Sequence, residues 1–399
     1  MGQSFEGVYD MKKYFAVLML LMVLLSSCGN QNNNPDVEYD TAAHLSHNKS
    51  LCMNGIFYFD EHEYSLGYSS PHICFYDFDS MQSAVLCARP NCLHDDHESC
   101  TALGISSFNS YPFVVNDSLY FFDETREFVE GKLIVSQDVL KANLDGSSRT
   151  KIDVIKGLVL CDLVIKGSTA YFTAAEEIYE DNTGIDTGYA KTYICSYDYQ
   201  NKKFTNNGLL FEGYHSSSRI IGEYNGGLYI SGNCCREAID FNDYANTDSI
   251  ISCYLRYDLK TSEITDWDMP MSTLDEDDRI KPMFIGSGFY GYMDGDNTHI
   301  IDYEGREMVL EAYSLSSSIV DIPINGYYIN ISGDDYEKSA YTAVNLKTGE
   351  ILKISKKAVP HWHYVLTYHD GGYIVYSLTG GNDFKKVSED ELFLRSGDK

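Results

Sequence analysis

Positive charge is scarce in this 399-residue sequence: 30 Lys and Arg stand against 59 Asp and Glu, a formal net charge of -29. Like charge repels at every encounter, so phosphate backbones and anionic lipid surfaces are poor partners, and nucleic acid is excluded as the ligand class. Proline is sparse at 8 residues, against 31 glycines. Beyond the N-terminal segment, no long stretch carries apolar residues at helical spacing, which removes a helical bundle or a doubly wound α/β fold. Glycine-rich phosphate loops, Gly-x-Ser-x-Gly and His-Glu-x-x-His are also missing, so no motif argues for an enzyme. Aromatic residues, by contrast, are abundant: 33 Tyr and 19 Phe take the aromatic fraction to 14%, in a chain that is 44% hydrophobic. These residues favour pleated, half-buried strands, and the acidic balance then reads as the solvated surface of a folded all-β body.

Residues 11–28 read MKKYFAVLMLLMVLLSSC, with a basic start at Lys12 and Lys13, an apolar run to about Leu25, and small residues before a cysteine. This is the pattern of a signal peptide ending in a lipobox, and the apolar run is shorter than the ~20 residues a membrane span needs. Residues 1–27 are therefore expected to be removed, the first ten lying upstream of the functional start. Cys28 is expected to carry a thioether-linked diacylglycerol as the mature N-terminus. The polar, Asn-rich tract that follows, within 28–45, reads as a tether. Two or more acyl chains hold stably where one does not. The expected location is the extracytoplasmic face of a bacterial membrane, lipid-anchored, with the folded domain over 46–399.

In that domain a short pattern recurs, a turn residue followed by an aromatic strand. The copies are Asn54-Gly55-Ile56-Phe57-Tyr58, Asp117-Ser118-Leu119-Tyr120-Phe121, Gly167-Ser168-Thr169-Ala170-Tyr171, Gly226-Gly227-Leu228-Tyr229, Ser287-Gly288-Phe289-Tyr290, Asn325-Gly326-Tyr327-Tyr328 and Gly371-Gly372-Tyr373-Ile374. Glycine and asparagine tolerate the positive φ of tight hairpin turns. A second turn follows nearly every copy, at Tyr76-Asp77, Asn143-Leu144-Asp145-Gly146, Tyr197-Asp198, Tyr257-Asp258, Asp302-Tyr303 and Asn345-Leu346. There the Asp or Asn side chain bonds the backbone two residues on. Two hairpins per repeat make a four-stranded blade, and seven copies predict a β-propeller of seven blades. The last copy lacks a clear second hairpin, so residues near Val37–Asn48 are candidates to complete the ring.

Residues 86–102, LCARPNCLHDDHESCTA, gather Cys87, Cys92, His94 and Cys100, with His97 as a substitute ligand. Three thiolates and an imidazole suit a tetrahedral structural zinc site. A disulfide from Cys100 to Cys87 or Cys92 is the alternative in an exported protein. Cys74 and Cys195 each lie three residues before the Asp of a second turn and read as buried core thiols. The adjacent Cys234 and Cys235 read the same way, with redox activity as the other possibility.

With these features the chain resembles extracytoplasmic lipoproteins of clostridia-like bacteria, whose propellers are similar to those of low-density-lipoprotein-receptor-related proteins. The likeness rests on the lipobox, the Asn-Gly-x-x-Tyr strands, the Tyr-Asp-Leu-Lys-Thr turn and the cysteine cluster.

Other constellations read as structural. His361-Trp362-His363 is an aromatic strand, Asp294-Gly295-Asp296-Asn297 and Gly333-Asp334-Asp335 are solvated turns, and residues 274–279 form an acidic loop. The functional expectation is a lipid-anchored binding or scaffold protein that engages an envelope protein, peptide or glycan on its loop-bearing face. The alternative is a glycan- or peptide-acting hydrolase or lyase with its site in the channel, where groups from separate blades meet.

Overall fold

Each predicted turn-plus-aromatic motif opens a strand whose first residues are buried or half-buried. The strand Gly372–Ser377 is buried at all six positions, a continuous rather than alternating pattern that marks a strand covered on both faces. In the computed structural model the described residues are 44–45, 49–52, 55–60, 72–92, 100–102, 112–130, 132–179, 186–238, 250–267, 284–286, 288–295, 297–311, 323–332, 340–360, 363–377 and 384–394. Cys28, the signal segment, His94, His97, His361, Trp362, Asp296, the Gly333–Asp335 turn and the 274–279 loop lie outside them.

The strands follow one another antiparallel in chain order, in six sheets among the described residues. Group 1 holds β1 (His44–Leu45), β2 (Lys49–Cys52), β3 (Gly55–Asp60), β4 (His72–Asp77) and β5 (Gln82–Val85). Group 2 holds β6 (Phe113–Val115), β7 (Ser118–Val129), β8 (Lys132–Asn143) and β9 (Thr150–Lys156). A single seven-stranded sheet comes next: β10 (Val159–Lys166), β11 (Thr169–Tyr179), β12 (Asp186–Asp198), β13 (Lys203–Tyr224), β14 (Gly227–Cys235), β15 (Ile250–Asp258) and β16 (Ile264–Asp266). The 22-residue β13 serves two groups: it pairs with β12 up to Tyr214, with β14 from Tyr214 onward, and breaks at His215, where φ is +50°. Its first half is the outer strand of group 3 and its second half the inner strand of group 4. Group 5 holds β17 (Phe284–Gly286), β18 (Phe289–Asp294), β19 (Asn297–Asp302) and β20 (Glu307–Leu310). Group 6 holds β21 (Tyr327–Ser332), β22 (Ala340–Asn345) and β23 (Ile351–Ile354), and group 7 holds β24 (His363–His369), β25 (Gly372–Ser377) and β26 (Phe384–Ser388). The chain ends in a one-turn helix α1 (Glu389–Leu392) and β27 (Phe393–Leu394).

These groups close into a ring, because each shares an apolar cluster with the next. One cluster runs from Phe57 and Ile73 in group 1 through Phe122 and Val139 in group 2 to Phe172 and Leu163 in group 3. Val164 and Ile194 then meet Ile220 and Ile230 of group 4, which is why the seven-stranded sheet divides into two groups. Tyr229 meets Tyr290, Ile300 meets Tyr328, and Ile329 shares a cluster with Val375. Ile374 and Phe384 of group 7 return to Ile56 and Tyr76 of group 1. The chain is an all-β propeller.

The turn chemistry follows the sequence reading. At Asn116–Asp117, Asn225–Gly226, Asn325–Gly326 and Asp370–Gly371, both turn residues have positive φ, as a two-residue hairpin of matching twist requires. Cys74, Cys195, Cys234 and Cys235 are buried.

Among the described residues the four-strand expectation fails in groups 1 and 7. Group 7 shows three strands, and the segment after it leaves to pair β27 with β23 of group 6. Ser388 caps α1 through a capping box with Glu391, so the chain turns away where a fourth strand would begin. Residues 44–45 form β1 on the inner edge of β2 in group 1, not a strand of the last group.

Candidate functional site

Cys87 follows the outer strand of group 1, where the main chain is pinned by Leu86 N–H to Ile73 O at 2.8 Å and Ile73 N–H to Ala102 O at 2.9 Å. Cys92 folds back over Pro90 and Asn91: its N–H donates to Arg89 O at 3.4 Å, and Asn91 adopts φ +60°. Cys100 is 4% exposed beside Ala102 and Val85. The three sulfurs lie within 4.8 Å of one another. The structure thus brings together three of the four predicted ligands, while His94 falls outside the described residues.

Burial alone would raise the Cys87 thiol, but donors outweigh it. The N–H groups of Arg89 and Thr101, the Thr101 hydroxyl and the Cys92 thiol lower it to about 6. Burial pushes Cys100 up to about 11, with Cys87 and Cys92 adding to the rise. The arrangement holds negative sulfur at Cys87 and suits a metal far better than open solvent.

A second constellation was not legible in the sequence. The hairpins β7–β8 and β11–β12 run well past their inner strands: β6 pairs with β7 only from Ser118 to Tyr120, whereas β7 and β8 stay paired out to Val129 and Lys132. Beyond its inner strand each hairpin stands on the face where inner strands begin. Tyr214 of β13 pairs with both Tyr189 and Cys235, so strands of groups 3 and 4 are hydrogen-bonded side by side at this level. Arg126 locks group 2 to this wall: it donates to Glu124 at 2.7 Å and to the Tyr179 hydroxyl at 2.8 Å, and lies 3.3 Å from Glu177. Glu124 also accepts from the buried Gln137 amide at 3.1 Å, and Tyr179 donates to Glu177. Burial and then Glu177 raise the Tyr179 phenol, which keeps it protonated. At the hairpin ends Phe128, Val129, Ile134 and Ile178 are 55%, 42%, 40% and 37% exposed.

The remaining sequence candidates are structural where described. Asp294 and Asn297 are cross-strand neighbours at a hairpin turn, and His363 opens β24. Among the described residues the cysteine trio is the one cluster of three or more metal-ligating side chains.

No known family model matches the sequence, and no curated protein does. Similar solved structures include an oligogalacturonate lyase in complex with manganese, at 9% identity and TM-score 0.46, covering 84% of this chain and 86% of that one. The oligogalacturonate lyase of Vibrio parahaemolyticus gives 9% identity and TM-score 0.44, covering 85% and 88%. The acylaminoacyl peptidase of Pyrococcus horikoshii gives 11% identity and TM-score 0.40, covering 86% of this chain and 52% of that one. At such scores the likeness carries nothing about site or chemistry, and the resemblance to receptor-type propellers remains one of strand motifs.

Proposed function

We propose that this chain is a lipid-anchored extracytoplasmic binding protein, held to the membrane through Cys28, that takes an envelope protein, peptide or glycan on the hairpin wall of groups 2 to 4. One observation carries the reading: Arg126 fixes two long hairpins against each other, and their ends leave Phe128, Val129, Ile134 and Ile178 in solvent. Apolar side chains held in solvent on a rigid support are candidates for an interaction surface. On this reading the cysteine-bearing connection is architectural and takes no part in ligand contact.

A hydrolase or lyase is the second reading. It is supported by the grouping of Tyr179, Glu177 and Glu124 around one guanidinium, since a protonated phenol and nearby carboxylates are general acid–base groups.

A photo-crosslinking phenylalanine analogue at Phe128, in the full-length chain in its own membrane, tests both. A discrete adduct from position 128, absent when the analogue replaces Tyr303 on a group 5 turn, is the expected result. No adduct at 128, or glycan or peptide cleavage that Tyr179→Phe abolishes, would overturn the binding reading.

A further inference from the structure

We propose that Cys87, Cys92 and Cys100 form a three-thiolate site for a thiophilic divalent cation, zinc foremost. The proposal does not depend on what the hairpin wall binds.

The geometry is already close to that of a bound metal. Zinc–sulfur bonds of about 2.3 Å in a tetrahedron place sulfurs roughly 3.8 Å apart. The three sulfurs lie within 4.8 Å of one another, so closure needs shifts of about an ångström or less. The backbone supplies the approach. The Cys92 N–H bond to Arg89 O and the left-handed Asn91 return the chain to Cys87 after four residues, while Ala102 O on Ile73 N–H fixes the chain after Cys100 to group 1. Cys87 Sγ accepts from two backbone N–H groups and from the Thr101 hydroxyl, the last at 3.7 Å. Outer-shell donors of this kind orient ligating sulfur and spread its charge.

Three thiolates and a dication leave one negative charge. Arg149, which follows the β8–β9 turn, is within electrostatic reach of Cys100, lies 3.8 Å from Asp123 and packs over the Phe121 ring at 5.0 Å. That same turn touches group 1 directly, since a Cβ on Gly146 would fall 2.2 Å from the Leu86 carbonyl oxygen. The site therefore ties groups 1 and 2 together by charge as well as by apolar contact, and its role is structural.

The test uses the full-length chain extracted in detergent after growth with zinc, with metal content and free thiols measured anaerobically. One zinc per chain is expected, lost in Cys92→Ser and retained in Cys253→Ser. Arg149→Gln should keep the metal and bind it more weakly. Should Cys92→Ser fail to fold, chelation of the parent chain and addition of cobalt provides the check, with a thiolate-to-cobalt charge-transfer band expected. A parent chain free of metal with all three thiols reactive, or a disulfide within the trio by peptide mass spectrometry, would overturn the proposal.

Discussion

A single side chain organises the second turn in five of the groups. Asp77 Oδ1 accepts the N–H of Asp79 at 2.7 Å, Asp198 that of Gln200 at 2.9 Å, Asp258 that of Lys260 at 2.9 Å, Asp302 that of Glu304 at 2.9 Å and Asn345 that of Lys347 at 2.9 Å. The position was readable because the bond is local: the acceptor and its donors are two or three residues apart. Where the acceptor is a carboxylate the turn is sensitive to acid. The N–H groups of Thr261 and Lys260, with Arg256, hold Asp258 at about 2, below its ordinary 3.8. Its contribution is complete above that ordinary value and is lost as pH falls toward about 2. Asp258→Asn, which places in group 4 the residue type used at Asn345, should give a stability curve that falls less between neutral pH and about 2, measured by denaturant unfolding across that range. An acid limb identical to the parent's would refute the carboxylate's role. The cysteines divide along the same line. Spacing alone singled out Cys87, Cys92 and Cys100, but Arg149 is 49 residues beyond Cys100 in the numbering and only the packing of group 2 on group 1 brings it near.

Among the elements, β13 departs most from the repeat. In sequence the interval between the third and fourth turn motifs holds nothing to show that one strand would be shared by two groups. His215 at φ +50° and the register shift between Tyr214 and Ser217 produce the handover. A φ of that sign costs a non-glycine residue roughly 1 kcal/mol or more and persists only where the surroundings compensate. Further along, β13 presses on group 5: a Cβ on Gly222 would lie 2.2 Å from the Ile285 carbonyl oxygen in β17. Gly222→Ala should therefore destabilise by about 1–3 kcal/mol through overpacking, seen as a lower denaturation midpoint with an unchanged denaturant slope. An unaltered midpoint would mean that groups 4 and 5 slide apart at no cost. The long hairpins were partly foreshadowed. The motif glycines and serines at 55, 118, 168, 227 and 288 are spaced more widely than those at 288, 326 and 372, but extra length does not say whether a loop or a raised sheet occupies it.

For the whole molecule the open question is closure, and the apolar contact between the first and last groups answers it. Phe384 stacks on Tyr76 with ring centroids 4.0 Å apart and lies 4.8 Å from Tyr376. The Tyr76 hydroxyl donates to Phe384 O at 3.5 Å. Removing a buried aromatic ring costs about 3–5 kcal/mol. Phe384→Ala should lose stability on that scale and raise protease sensitivity at both ends of the ring together. Cleavage confined to the C-terminal segment would show that the first group stands without the last. Phe393, packed on Tyr327 at 4.9 Å and Tyr373 at 5.6 Å, anchors β27 on group 6.

The sequence by itself determined the all-β class, the recurring strand groups and the chemistry of their turns, because those depend on residues within a hairpin of one another. It also marked the three thiols, which share one connection. The tertiary structure alone decided where β27 pairs, that β13 spans two groups, that Arg126 joins two hairpins, and that Arg149 approaches the thiols. Each of these is a contact between groups, set by how twisted sheets pack around a ring, and no local pattern in the chain encodes a partner fifty or three hundred residues away.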